Sequence, residues 1–404
     1  CLGKMLDKQK NRGSLKPYLR NVNVRWFSFD LSDLKEMRFE PGEEARYGLK
    51  SGDLIICEGG EPGRAAVWNG QADDARIQKA LHRVRFRADQ YDSSFAMYYL
   101  FYGSVTNLFS AHYTGTTIKH LTGKSLRQVE FPVPPLPEQR RIVAKIEELF
   151  SDLDAGVAAL ERAKANLKRY RAAVLKAAVE GKLTEQWRAE NPDVEPASEL
   201  IARTETPPRP NRFKTASRDI ILGHAALAVG NPGLELPTGW VWSPLVDVGR
   251  MESGHTPSRK HPEWWDGDIP WIGIADAREP DGGIIADTFQ HTNEAGLANS
   301  AARLLPPGTV CISRTASVGY VVVMQNSMAT SQDFVNWVPT PAVSSDWLRV
   351  VFMADREALR RFGKGSVHKT IYFPEWLSIH VAVPPLSEQQ AIVGPTPLSG
   401  AGLW

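Results

Sequence analysis

Pro134-Pro135-Leu136-Pro137-Glu138-Gln139-Arg140-Arg141-Ile142-Val143 returns 250 residues later as Pro384-Pro385-Leu386-Ser387-Glu388-Gln389-Gln390-Ala391-Ile392-Val393. A repeat of this kind fixes architecture more firmly than local propensity does. Working outward, Gly115 and Lys119 match Gly365 and Lys369 at the same offset, while Gly52, Gly63 and Val67 match Gly308, Gly319 and Val323 at an offset of 256. One ancestral domain therefore occurs twice. In each copy, apolar β-branched runs (54–57, 310–312 and 320–323) lie between Gly and Pro residues and read as strands with tight turns. Segments 93–108 and 345–362 read as amphipathic helices. The fold class is α+β, with two similar mixed α/β domains, 1–133 and 236–383, joined by a long helix.

The joining segment, 134–190, has its own pattern. Apolar residues at Ile142, Ile146, Leu149, Leu153, Val157, Leu160, Leu167, Tyr170 and Val174 form one narrow seam, with Glu161, Arg162, Lys168, Arg169 and Arg171 largely off it. A helix over 137–182 would be about 70 Å long at 1.5 Å per residue, too long for an ordinary core helix. A coiled-coil stalk with a partner helix fits this pattern; the plainer alternative is a helix lying across one globular core. Gly181 is placed to stop it, and five prolines between 191 and 214 mark 191–235 as a linker.

Composition sets limits. The 404 residues, 42% hydrophobic and 23% charged, leave room for two or three domains. The longest apolar stretches, such as 321–324, fall far short of the ~20 residues of a membrane helix, and no signal peptide is visible, so a cytoplasmic protein with no membrane partner is expected. Cys1, Cys57 and Cys311 lack paired spacing, which favours neither disulfides nor a metal site. The net charge of +2 does not by itself demonstrate a nucleic-acid partner. Between Lys4 and Arg25, however, seven basic residues face the single acid Asp7, a surface that suits phosphates or is merely solvated.

Taken together, PPLPEQRRIVAKIEELFSDLD, the helix ending EGKLTEQWR, the opening LPTGWVWSPLVDVG and the closing PPLSEQQAIV resemble type I restriction-modification specificity subunits over nearly the whole chain. The resemblance implies two target-recognition domains, each reading half of a split double-stranded DNA site, held apart by antiparallel helices. It further implies docking of modification subunits that methylate adenine and of a restriction subunit that translocates and cuts DNA. No catalytic residue, metal or cofactor belongs to this chain on that reading; S-adenosylmethionine, ATP and Mg belong on the partners. Two departures from the family pattern point to a copy truncated at both ends. The first domain lacks a counterpart of 240–248, and after Val393, where 384–404 should begin a distal conserved region, GPTPLSGAGLW cannot continue a helix. The seam would then be covered in trans, or the chain would be inactive.

Recognition requires cations, hydroxyls and amides for phosphates, and Arg, Gln or Asn for base edges. In the first domain the candidates are Arg12, Lys16, Tyr18, Arg20, Asn21 and Asn23, then Arg64, Gln78 and Lys79, then Thr116, Thr117 and Lys119. The corresponding set in the second is Thr256, Ser258, Arg259 and Lys260, then Arg314, Ser317 and Gln332, then Ser366, His368 and Lys369. For each, the plain alternative is a solvated loop side chain. Trp264, Trp265 and Trp271 read as core more than as base-stacking groups. The second domain (237–383) carries 12 Lys and Arg against 15 Asp and Glu, so local clusters rather than net charge must attract DNA.

Rival functions find little support. Asn191-Pro192-Asp193 and Asn231-Pro232-Gly233 fail the adenine-methyltransferase pattern at the second proline, and Gly123-Lys124-Ser125 lacks the required earlier glycine of a phosphate loop, where Ile118 stands. Asp53, Glu58 and Glu61 could suit a nuclease metal, but the repeat partner carries Arg314, Thr315 and Ser317, which favours salt-bridge or loop-capping roles. A protein-binding scaffold built on the stalk is the remaining alternative.

Overall fold

The computed structural model describes residues 1–7, 9–115, 119–209, 220–315, 317–363 and 369–394. It divides into two compact units, Cys1–Arg162 and Ala163–Trp404.

In the first unit, strand Asp53–Cys57 lies between Ala65–Trp68 and Leu81–Val84, antiparallel to both. Its side chains alternate, as the period of two in a strand requires. Leu54 and Ile56 enter one buried cluster with Phe95, Ala96 and Leu100 of helix Ser93–Val105; Ile55 and Cys57 enter another with Leu19, Trp68 and Ile77. Each such aliphatic side chain contributes about 2 kcal/mol by leaving water. A smaller sheet places Ser14–Leu19 between Lys35–Phe39, antiparallel, and Arg76–Ile77, parallel.

The second unit repeats this plan. Strand Val310–Ser313 lies between Val321–Met324 and Phe334–Pro339, and Val310 and Ile312 face one cluster while Cys311 faces another. Trp271 and Ile272 of strand Trp265–Ile272 pair in parallel with Ala329 and Thr330, as Tyr18 and Leu19 pair with Arg76 and Ile77. A further sheet, without a counterpart among the described residues of the first unit, has the order Val241–Pro244, Ile379–Val383, Leu227–Val229, Ile221–Leu222. The expected helix 345–362 is two helices, Ser345–Ala354 and Arg356–Phe362, broken at Asp355.

Helix Leu136–Val179 runs 44 residues without interruption, about 66 Å at 1.5 Å per residue. Its start is anchored by Val143 in the first unit's core and its end by Leu175, Ala178 and Val179 in the second's. Gly181, at φ 70°, ends it in the left-handed region that only glycine adopts freely. The proline-rich stretch 191–214 differs from a plain linker, because it contains helix Ala197–Arg203. There Ala197, Leu200 and Ile201 pack on the second unit's core, and that apolar anchoring outweighs the flanking prolines. Strands Ile221–Leu222 and Leu227–Val229, within the expected 191–235 linker, likewise belong to the second unit's sheet.

No helix among the described residues is long and apolar enough to cross a membrane. Burial pushes the Cys57 thiol up to about 11 and raises that of Cys311 as well, whereas Cys1 is exposed. Because the thiolate is the reactive form, a thiol reagent at pH 8 should modify one cysteine quickly in the native protein and three after unfolding. A second fast native thiol would contradict this packing.

Candidate nucleic-acid interface

Each unit gathers three loops at one point. In the first, the Glu58 amide donates to Ala80 O (2.9 Å) and the Leu121 amide donates to Glu58 O (2.6 Å), so one residue ties loop 58–64 to the two others. Asn21 joins them, its Nδ2 donating to Gly59 O at 2.8 Å, and Arg64 Nη2 donates to Asn21 O at 3.0 Å. In the second unit the Arg314 amide donates to Asp333 O (2.8 Å) and the Ile371 amide donates to Arg314 O (3.0 Å). Thr315 and Thr370 hydroxyls meet at 3.0 Å, where Gly59 bridges His120 in the first.

The predicted residues distribute unevenly over these junctions. Lys79 and Lys119 are exposed, and neither is held in an ion pair among the described residues. Gln78 is half-buried, its amide donating to Leu19 O at 3.1 Å. Arg20 is committed to Asp33, and Arg64 to Glu61. Lys16 pairs with Asp74, and exposed Arg12 donates to Gln9 O; both lie toward the end of strand Ser14–Leu19 remote from Leu19, outside the junction. Tyr18 and Asn23 require correction, being 4% and 2% exposed. Tyr18 packs with Met37, Phe39 and Tyr47, and Asn23 locks its turn by accepting from the Arg20 amide and donating to Asp30 O, so neither side chain can face a ligand.

In the second unit, Arg314 is held from two sides: Nε donates to Gln332 O at 3.1 Å, and the guanidinium lies 4.6 Å over the Phe373 ring. Burial lowers its affinity for a proton, partly offset by Asp333, although a guanidinium stays charged. The Thr256 hydroxyl donates to Gln332 Oε1. Arg259 stacks 3.8 Å over Trp265 and 5.3 Å over Trp271, and its Nη2 donates to Gln290 at 2.7 Å. Trp271 is buried, as a core role requires; Trp264 and Trp265 are half-buried. Ser258 and Lys260 are exposed on the same loop, while Ser317 accepts the Ser313 hydroxyl through its carbonyl and shapes its turn. Exposed Lys369 donates to Arg360 O at 3.3 Å. Thr116, Thr117, Ser366 and His368 lie outside the described residues.

The counterpart of 256–260 is not 12–23. A Cβ on Gly3 would meet Gln78 O at 2.2 Å, and one on Gly254 would meet Ser331 O at 1.9 Å. The Lys4 amide donates to Ile77 O, as the His255 amide donates to Thr330 O. The 256–260 loop therefore corresponds to the chain just after Lys4, and Arg12–Asn23 to the strand Trp265–Ile272 and its exit. Sequence reasoning also missed Phe373, which orients Arg314.

Asp53 and Glu61 have the structural roles expected of them. Asp53 is fully buried against Arg85 (2.5 and 2.6 Å), and Glu61 accepts from Trp26 Nε1 and Arg64. No group of three or more His, Cys, Asp or Glu among the described residues could hold a metal ion.

Comparison with known proteins agrees with the repeat. The type I restriction modification DNA specificity domain matches residues 7–164 and again 237–394. The MjaIX specificity subunit of Methanocaldococcus jannaschii is 29% identical over 160 residues, 39% of this chain and 37% of its own. The EcoDI specificity subunit of Escherichia coli is 32% identical over 165 residues, 37% of each. The matched part of the chain thus spans little more than a third of these relatives. Among solved structures, the HsdS subunit from Thermoanaerobacter tengcongensis superimposes with a TM-score of 0.57 at 19% identity, over 97% of this chain and 84% of that one, and so shares its fold. With the domain matched in both repeats, over more than half its length, the chain belongs to the type I restriction modification DNA specificity family.

Proposed function

We propose that this chain is the sequence-reading subunit of a type I restriction-modification complex. It binds a bipartite double-stranded DNA target, directs adenine methylation by modification subunits and directs cleavage by a restriction subunit. The chain itself performs no chemistry; S-adenosylmethionine, ATP and Mg act on the partners.

One observation carries this reading: the same three-loop junction is built twice in one chain, with exposed cations at each. Two reading surfaces on one polypeptide suit a split site in the way that dimeric binders suit paired half-sites. The helix supports the partner interaction. Leu153, Leu160 and Tyr170 are 62%, 72% and 63% exposed, and Ile142, Leu149, Val157 and Leu167 are exposed too. Such a seam in water calls for a partner. Ile146 is half-buried and Val174 packs on the second unit's core, so the available surface is shorter than the nine-residue seam.

Co-expression with cognate modification subunits, followed by single-molecule mapping of methylated adenine on a plasmid, tests the proposal. One split motif with a constant gap is expected. A stable complex that methylates no motif would instead favour the scaffold reading.

A further inference from the structure

Cys57-Glu58-Gly59 and Ser313-Arg314-Thr315 occupy the same place in the two units. The Cys57 amide donates to Arg64 O and the Gly63 amide to Cys57 O; the Ser313 amide donates to Tyr320 O and the Gly319 amide to Ser313 O. The next amide reaches Ala80 O or Asp333 O, and the next carbonyl accepts from Leu121 or Ile371. The backbone is thus the same to within a hydrogen-bond pattern, while the side chains are opposite in charge.

Neither side chain is used up by the fold. Among the described residues, no hydrogen bond or ion pair holds the half-buried Glu58 carboxylate, unlike its neighbours Asp53 and Glu61. The Arg314 guanidinium is fixed by Phe373 and through Nε, which leaves both terminal nitrogens without a protein partner among those residues. An unpaired carboxylate at a loop junction beside Lys79 weakens binding to phosphates. It repays that cost only against a hydrogen-bond donor, and bases present donors in the major groove as exocyclic amines.

We propose that this junction is a base-reading position in both units, with opposite hydrogen-bonding sense. Glu58 accepts from the amino group of cytosine or adenine in one half-site; Arg314 donates to the acceptors of guanine in the other. Glu58 also rejects guanine and thymine, whose major-groove oxygens would face its own, so repulsion supplies part of the selectivity. The assignment rests on the sequence-reading function proposed above.

The test is the methylation map of the full chain with its modification subunits, compared for the unaltered protein, Glu58→Ala, Glu58→Gln and Arg314→Ala. In Glu58→Ala, one position of one half-site should lose its base preference by tenfold or more, with the gap and the other half intact; whether cytosine or adenine is lost identifies the amine. Glu58→Gln, of the same shape, should move that position toward adenine, which Gln reads on two atoms. Arg314→Ala should relax a position of the other half only. An unaltered chain that methylates no split motif overturns the sequence-reading function and this assignment with it. A motif that both Glu58 variants leave unchanged, or degrade equally in its two halves, overturns this assignment alone.

Discussion

Asp355→Ala should lower the stability of the second unit by about 4 kcal/mol, on the order of a third of a typical domain's total. Asp355 is fully buried, and its carboxylate caps four successive amides: Oδ1 accepts from His224 and Ala225 (3.1 Å for the latter), Oδ2 from Ala226 (2.8 Å) and Leu227 (2.9 Å). Burial raises its affinity for a proton, and the four amides pull the other way. Removing the carboxylate strands donors that cost roughly 1–3 kcal/mol each when buried, and the two nearest solvent fall at the low end of that range. The segment released carries strand Leu227–Val229, which pairs with Ile379–Val383. Asp355→Asn keeps one acceptor but turns an NH2 group toward two donors, so it should recover less than half the loss. Denaturant unfolding with an unchanged slope measures both variants. A loss under about 1 kcal/mol for Asp355→Ala would mean that the amides find other partners.

That cap could not be read from the sequence, because its partners lie about 130 residues away. The repeat could be, since a Pro-Pro-Leu-x-Glu-Gln motif survives where its neighbours diverge. The strand at 54–57 is equally legible, because a strand buried on both faces needs apolar residues at every position. Equivalence at the recognition loops was not. Gly3 pairs with Gly254, Ile77 with Thr330, Cys57 with Ser313 and Leu121 with Ile371, offsets of 251, 253, 256 and 250. Loops of unequal length change the offset, and residue type alone cannot show that Arg12–Asn23 fall opposite Trp265–Ile272 and its exit rather than opposite 256–260. Residue type alone points Tyr18 and Asn23 at DNA, yet a tyrosine can serve the core and an asparagine its own turn. In sequence Glu58 reads like Asp53 and Glu61; only the structure separates the unpaired carboxylate from its two engaged neighbours.

Gln139→Ala and Gln389→Ala should each cost about 3 kcal/mol, in the first and second unit respectively. Both glutamines are fully buried and perform one task. Gln139 accepts from the Asp92 amide (2.8 Å) and donates to Pro134 O (2.8 Å) and Gln90 O (3.2 Å). Gln389 accepts from the Ser344 amide (2.8 Å) and donates to Ala342 O and Pro384 O (both 3.0 Å). In each unit the motif's glutamine thus fastens the N-cap residue of the covering helix, Ser93–Val105 or Ser345–Ala354, to the start of the helix that carries the motif. Three backbone groups that face a fully buried glutamine side chain lose their partner in either alanine variant. The glutamate variants are more informative. Gln139→Glu keeps the acceptor but sets a carboxylate against two carbonyl oxygens, which raises the folded-state pKa of the new group above its unfolded value near 4.3. A raised acid pKa lowers stability above the folded value and restores it as pH falls, because only the protonated form can donate to a carbonyl. Gln139→Glu should therefore be less stable than Gln139→Ala at pH 8 and gain on it steadily toward pH 5, with Gln389→Glu behaving alike. Parallel pH profiles for the glutamate and alanine variants would show that the carbonyls at this joint are satisfied by water, and the shared motif would need another physical explanation.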